Sequence, residues 1–206
     1  EREALIQNAP DGVNREQTTA YQQFVWDFLL IAGLAARATG KPFSDAYWSR
    51  MEAMLVYVAA VMDSGGNVPM FGDADDGRVT GLSLSAGGCA FQSQLATGAL
   101  LFENASLARK AGFVDLRTRW LLGREACVPF DDLLLKAAPA TTRVDFPDGG
   151  VFVLGAHLDT LDEIRLVADA GPLGLGGIAA HGHADALSFT LSVAGREFLV
   201  DPGTGT

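Results

Sequence analysis

The chain has 206 residues, 49% of them apolar, and a formal net charge of −10, so it can bury a real core as one large domain or two smaller ones. The negative balance argues against nucleic acid as a partner, because phosphate binding draws on clustered Lys and Arg; a polyanionic substrate stays open, since one basic cleft can outweigh a negative global field. No apolar run reaches the roughly 18–20 residues that span a bilayer, and the longest candidate, Phe24 to Ala38, contains Asp27 and Arg37 and reads as a buried helix.

The N-terminal EREALIQNAPDG has neither a basic stretch nor an apolar core and is not a signal peptide. Asn14-Arg-Glu-Gln17 has the form of an N-cap followed at N3 by Gln, which predicts a helix from there to about Thr39, stopped by Gly40. Its apolar residues, among them Tyr21, Phe24, Phe28 and Ala32, spread around most of the circumference, so it should be packed on several sides. Ser44 can cap a second helix, on which Trp48, Met51, Leu55, Val58 and Met62 step by three and four. The short connection between the two predicts antiparallel neighbours.

A long non-periodic loop, Ser64 to Gly81, follows, and loops of that length inside a domain are usually functional or mobile. Helical patterning returns over 91–102, 105–111, 116–122 and, weakly, 130–138. The two cysteines, Cys89 and Cys127, stand in no CxxC pair and read as small buried apolar residues. At Pro139 the pattern turns to strand and turn: TTRVDF, the corner Pro147 to Gly150, VFVLG, EIRLVAD, then LSFTLSV joined through Ala194-Gly195 to REFLV. Leu187, Phe189, Leu191 and Val193 alternate with Ser188, Thr190 and Ser192, predicting an antiparallel sheet with its apolar side buried. The expected fold is therefore α+β in segregated domains: 1–138 helical, 139–206 the start of a β domain. A sheet stopping just after a strand leaves an open edge, which reads as a fragment of something longer.

Chemistry concentrates in His181-Gly-His183-Ala-Asp185. On an extended backbone residues i, i+2 and i+4 share a side, so the three could converge on a metal, and imidazole suits zinc. Equally, they could be ordinary structural polar groups. Continued parity would put them on the apolar face with Leu187 and Phe189, which requires either a bend near Gly182 or a fully satisfied buried polar site. Asp201, across the hairpin, is a further candidate ligand or simply turn chemistry in Asp-Pro-Gly. Asp73, Asp75 and Asp76 suggest a calcium loop, but its twelfth position is Leu84, so a solvated acidic loop is expected instead.

The run HGHADALSFTLSVAGREFLVDPGTGT resembles the signature of the heparinase II/III-like polysaccharide lyases, and DGVNREQTTAYQQFVWDFL and PMFGDADDGR are similar to two motifs of that family's helical domain. The resemblance implies the last helices of an (α/α) toroid followed by the first strands of an antiparallel β-sandwich. It implies β-elimination on an anionic, uronic-acid-containing glycan of heparin, heparan sulfate or alginate type, in the periplasm or outside the cell. By position, Asn14 supported by Glu16 would neutralise the substrate carboxylate, His181 would transfer a proton, His183 and Asp201 would hold a zinc ion, and Asp185 would orient them. A further histidine ligand is expected beyond Thr206. No tyrosine stands just before PMFGD where the family would place one; of Tyr21 and Tyr57, Tyr21 is the better substitute, lying on the same helix as Asn14. Two other classes remain: a non-catalytic carbohydrate-binding or assembly protein on this scaffold, and a toroidal glycoside hydrolase using Asp73 and Asp76, which would need carboxylates about 5–10 Å apart.

Overall fold

A computed structural model of the protein, described over residues 1–74, 77–82, 89–136, 144–183 and 186–204, has a helical N-terminal part followed by a five-stranded antiparallel sheet. The described chain divides into two compact units, Glu1–Gly77 with Thr142–Thr206, and Arg78–Thr141.

In the first unit, α1 (Arg2–Gln7) precedes the two long helices; the sequence pattern assigned no element there. Helix α2 spans Thr19–Ala38, so the expected N-cap at Asn14 is corrected by four residues. The true N-cap is Thr18, whose hydroxyl accepts from Tyr21 N at 3.0 Å. Asn14 cannot open a helix because it forms a β-bridge with Asn8, and Gln17 takes a φ of 58°, outside the helical region. Helix α3 (Asp45–Val61) begins as expected at Ser44, which caps Tyr47 N. Trp26 Nε1 donates to Met51 O at 3.0 Å and Tyr47 Oη to Leu29 O at 2.6 Å. Later residues of α2 thus meet earlier residues of α3, so the pair is antiparallel. Trp26, Leu30, Met51, Met54 and Leu55 fill the seam at 0–1% exposure, each worth about 1.5–3 kcal/mol in removal from water.

The sheet is a meander in the order β1 (Asp145–Phe146), β2 (Val151–Ala156), β3 (Ile164–Asp169), β4 (Phe189–Val193), β5 (Arg196–Leu199). The β4–β5 hairpin turns on Ala194 and Gly195, with φ of 52° and 70°, a pair of left-handed residues whose twist suits a two-residue loop. Glycine is needed at 195 for a second reason: a Cβ there would stand 2.6 Å from Gly65 N.

Within this chain the face of the sheet turned toward the helices is the polar one in β4. Thr190 and Ser192 are 7% and 8% exposed, whereas Phe189 is 51% exposed. The strands pair Leu154 with Leu166 and Leu166 with Leu191, so the open face is an apolar stripe. The face turned inward mixes Val151, Val153 and Val167 with Arg165, Asp169, Thr190 and Ser192, all buried. Alternation correctly located the strands, but a two-faced strand can bury either side once polar groups find partners. Here they do. Arg165, 1% exposed, donates to Glu163 at 3.1 and 2.8 Å, to Asp159 at 2.9 Å and to the Ala60 carbonyl near the end of α3. Glu163 Oε1 also accepts from Ser64 N at 2.9 Å, and Asn67 Nδ2 donates to Gly195 O at 3.0 Å. Asp11 Oδ2 accepts from Gly149 N at 3.0 Å at the sheet's other end. The helix pair is therefore fastened to the sheet by polar bonds as well as by apolar contacts such as Tyr57 on Phe146, centroids 5.2 Å apart.

The second unit contains α4 (Ala90–Leu101), α5 (Ala105–Ala111), α6 (Leu116–Leu122) and α7 (Phe130–Lys136), all four anticipated by the periodicity. Asn104 and Asp115 cap α5 and α6. Thr97 and Thr118 share a buried hydroxyl bond of 2.8 Å, and Arg117 donates to Ser93 Oγ at 3.2 Å. Both cysteines are free thiols; Cys127 is buried and Cys89 only partly so. Among the described residues no helix is long and apolar enough to cross a membrane.

Candidate functional site

The start of α2 organises one end of the first unit. Thr19 N donates to Phe71 O at 3.1 Å, Thr19 Oγ1 donates to Pro69 O at 2.7 Å, and Phe71 N donates to Thr19 Oγ1 at 3.2 Å. These bonds pin the PMF segment to the helix, so Asp73, two residues on, is delivered beside Glu16 and Tyr21. From the other side comes the β3–β4 connection. Leu175 and Ala180 form a β-bridge around a short 3₁₀ turn (Gly176–Ile178), and His181 follows at once with a φ of 63°. A left-handed histidine is a costly conformation, tolerated where surrounding bonds fix it. Here the His181 carbonyl accepts from Asp73 N at 3.1 Å.

The outcome is a half-exposed cluster. His181 Nδ1 lies 3.3 Å from Asp73 Oδ2, and His181 Nε2 lies 3.9 Å from Glu16 Oε2. The ring packs against Tyr21, with centroids 4.5 Å apart and tilted by 50°. His183 Nε2 stands 3.9 Å from Asp73 Oδ1, and Thr204 Oγ1 donates to that oxygen at 3.0 Å. Hydrogen bonds from His181 first, then from Thr204, hold the Asp73 carboxyl below the usual carboxylate range despite some desolvation. His181 and Asp73 are 36% and 34% exposed, so substrate can reach both.

Of the residues singled out in the sequence, the structure brings together Glu16, Tyr21, His181 and His183. Asn14 lies behind them at 1% exposure. Its amide donates to Asn8 Oδ1 at 2.9 Å, and its Oδ1 accepts from Glu16 N at 3.0 Å, so it holds the Glu16 backbone. Tyr57 is buried in the core, and burial, then Asp169 and Asp11, push its hydroxyl well above the normal range. Asp201 turns to its own loop, accepting from Gly203 N at 2.8 Å. Asp75, Asp76 and Asp185 lie outside the described residues. The HGH segment is not a strand: β4 begins only at Phe189. The bend near Gly182 thus resolves the parity conflict. Asp73, expected in a solvated acidic loop or as one of a hydrolase's two carboxylates, instead lies beside His181.

Among the described residues, no three His, Cys, Asp or Glu side chains come together as a metal-binding group, where zinc commonly takes three or four protein ligands.

With this geometry established, comparison with known proteins is informative. Residues 138–206 match the family model described as heparinase II/III-like, C-terminal. The chain also superposes on segments of solved structures. For the heparan sulfate lyase HepC from Pedobacter heparinus, the TM-score is 0.68 at 21% identity, covering 98% of this chain and 27% of that one. For a heparinase III, the TM-score is 0.66 at 17% identity, covering 100% of this chain and 30% of that one. No curated protein sequence matches the chain. Over residues 138–206 the chain is similar to that family, and as a whole it has the fold of a segment of these solved structures. It spans less than a third of the length of those relatives.

Proposed function

We propose that the protein carrying this chain is a polysaccharide lyase that cleaves a uronic-acid-containing glycan, of the heparan sulfate type named for its structural relatives, by β-elimination. The observation that carries this reading is the solvent-accessible Tyr21–His181 pair, flanked by Glu16 and Asp73. In such a reaction the C5 proton passes to a base, and the C5–H electrons form the C4–C5 double bond. The C4–O bond breaks, and its oxygen takes a proton from an acid. His181 and Tyr21, one imidazole and one phenol in contact, are the base and acid of this site. Asn14 acts through Glu16, whose backbone it holds; direct neutralisation of the substrate carboxylate would require its amide to give up Asn8.

A second reading, a carbohydrate-binding protein without chemistry, is favoured by one observation: SGGNVP, before PMFGD, contains no tyrosine. One experiment separates the two. Uronate glycans incubated with the protein should develop the ultraviolet absorbance of an alkene conjugated to a carboxylate. Binding without that absorbance from any such glycan would establish the second reading.

A further inference from the structure

Asp73 is bonded to the candidate site through both its main chain and its carboxylate. Its backbone N–H donates to the His181 carbonyl at 3.1 Å while its Oδ2 lies 3.3 Å from His181 Nδ1, so main chain and ring are gripped at two points. Its other oxygen is fixed too. Oδ1 accepts from Ala74 N at 2.9 Å and from Thr204 Oγ1 at 3.0 Å, and Thr204 Oγ1 itself accepts from Ala74 N at 2.8 Å. A carboxylate held in this way has one oxygen left to present to the imidazole. Among the described residues, the groups facing His181 are Asp73 on the Nδ1 side, Glu16 on the Nε2 side and the Tyr21 ring against its face, and His183 approaches Asp73.

We infer that Asp73, braced by Thr204, is the positioning residue for His181: it accepts from Nδ1–H and so leaves Nε2 as the bare nitrogen turned toward Glu16. An ionised carboxylate only accepts, so the nitrogen beside it must carry the hydrogen in the neutral ring. The nitrogen that exchanges a proton with substrate is thereby chosen by the neighbouring carboxylate. The consequence for turnover rests on the lyase reading; the arrangement of the ring does not.

The test therefore has two readouts. In the chain labelled with ¹⁵N-histidine, at a pH where imidazoles are neutral, nitrogen shifts report which nitrogen is protonated, with His157→Gln and His183→Gln assigning the signals. His181 is expected as the Nδ1–H form. Asp73→Asn, whose amide can turn its NH₂ toward the ring, should move His181 to the Nε2–H form, and Asp73→Glu should restore part of the original signal. In the lyase assay Asp73→Asn should lower kcat about 10–100-fold with KM little changed. A wild-type His181 in the Nε2–H form overturns the inference, as does Asp73→Asn with unaltered tautomer and kcat. Should Asp73→Asn fail to fold, Thr204→Val carries the test: partial loss of the Nδ1–H form supports the inference and an unchanged signal overturns it. A protein without lyase activity whose His181 tautomer still follows Asp73 would sink the lyase reading and leave the positioning role standing.

Discussion

Two clusters in the first unit use the same ingredients, a nitrogen base between two carboxylates, to opposite ends. At Arg165 the side chains are 0–13% exposed and the ion pairs 2.8–2.9 Å long. At His181 they are 19–36% exposed and the separations 3.3–3.9 Å. The first cluster includes a guanidinium that does not deprotonate, and it ties β3 to the end of α3. The second includes an imidazole, whose two ring nitrogens can give or take a proton, on a left-handed backbone open to solvent. Short, buried and permanently charged marks architecture. Looser, accessible and titratable marks chemistry.

The largest effect should follow from breaking the first cluster. Glu163→Ala strips a buried guanidinium of its fully buried carboxylate partner and should cost about 3–5 kcal/mol, measured by urea unfolding. His181→Gln should do the reverse. Stability should stay within about 0.5 kcal/mol, as for a surface change, while any lyase rate falls about 10²–10⁴-fold with loss of a proton-transfer group. If His181→Gln destabilises as much as Glu163→Ala, the contrast between the clusters disappears. Asp115 gives a smaller effect in the second unit. Asp115→Ala removes the α6 cap, a 2.9 Å bond from Thr118 N, and should cost about 1 kcal/mol.

The smallest effect is a pH dependence. Burial raises the Asp115 carboxyl, but bonds from Thr118 and Ser93 and the Arg117 charge outweigh it, and the net shift is downward. A depressed carboxylate stabilises above the ordinary range, near 3.9, and that contribution is lost as pH falls through its lowered value. Acid unfolding of the wild type should show this loss, and Asp115→Asn should flatten it.

How far the sequence could be read follows the same division. Periodicity located α3 to α7 because each has a cap or a stripe written locally: Ser44, Asn104 and Asp115 are visible as letters. The start of α2 was misplaced because Asn14, a good cap by type, is claimed by Asn8, a partner no local window weighs. The buried face of β4 was misjudged for a related reason. Thr190 and Ser192 face inward beside Arg165 and Asp169, residues of a neighbouring strand. His181 and Glu16 were legible through motif resemblance. Asp73 was not, since its role depends on Thr19 pinning Phe71 across about fifty residues of chain. Tyr21 was chosen for sharing a helix with Asn14; Asn14 lies outside α2, and Tyr21 meets His181 from that helix's first turn.

The central claim, that the His181 cluster performs proton transfer on a uronate glycan, is tested most directly by one comparison. The protein carrying this chain and its His181→Gln variant are incubated with heparan sulfate and related uronate glycans, and conjugated-alkene absorbance is followed. The account predicts steady product formation by the wild type and near-complete loss in the variant, with folding intact. An equal rate from the variant, or no alkene from the wild type on any uronate glycan, would contradict it.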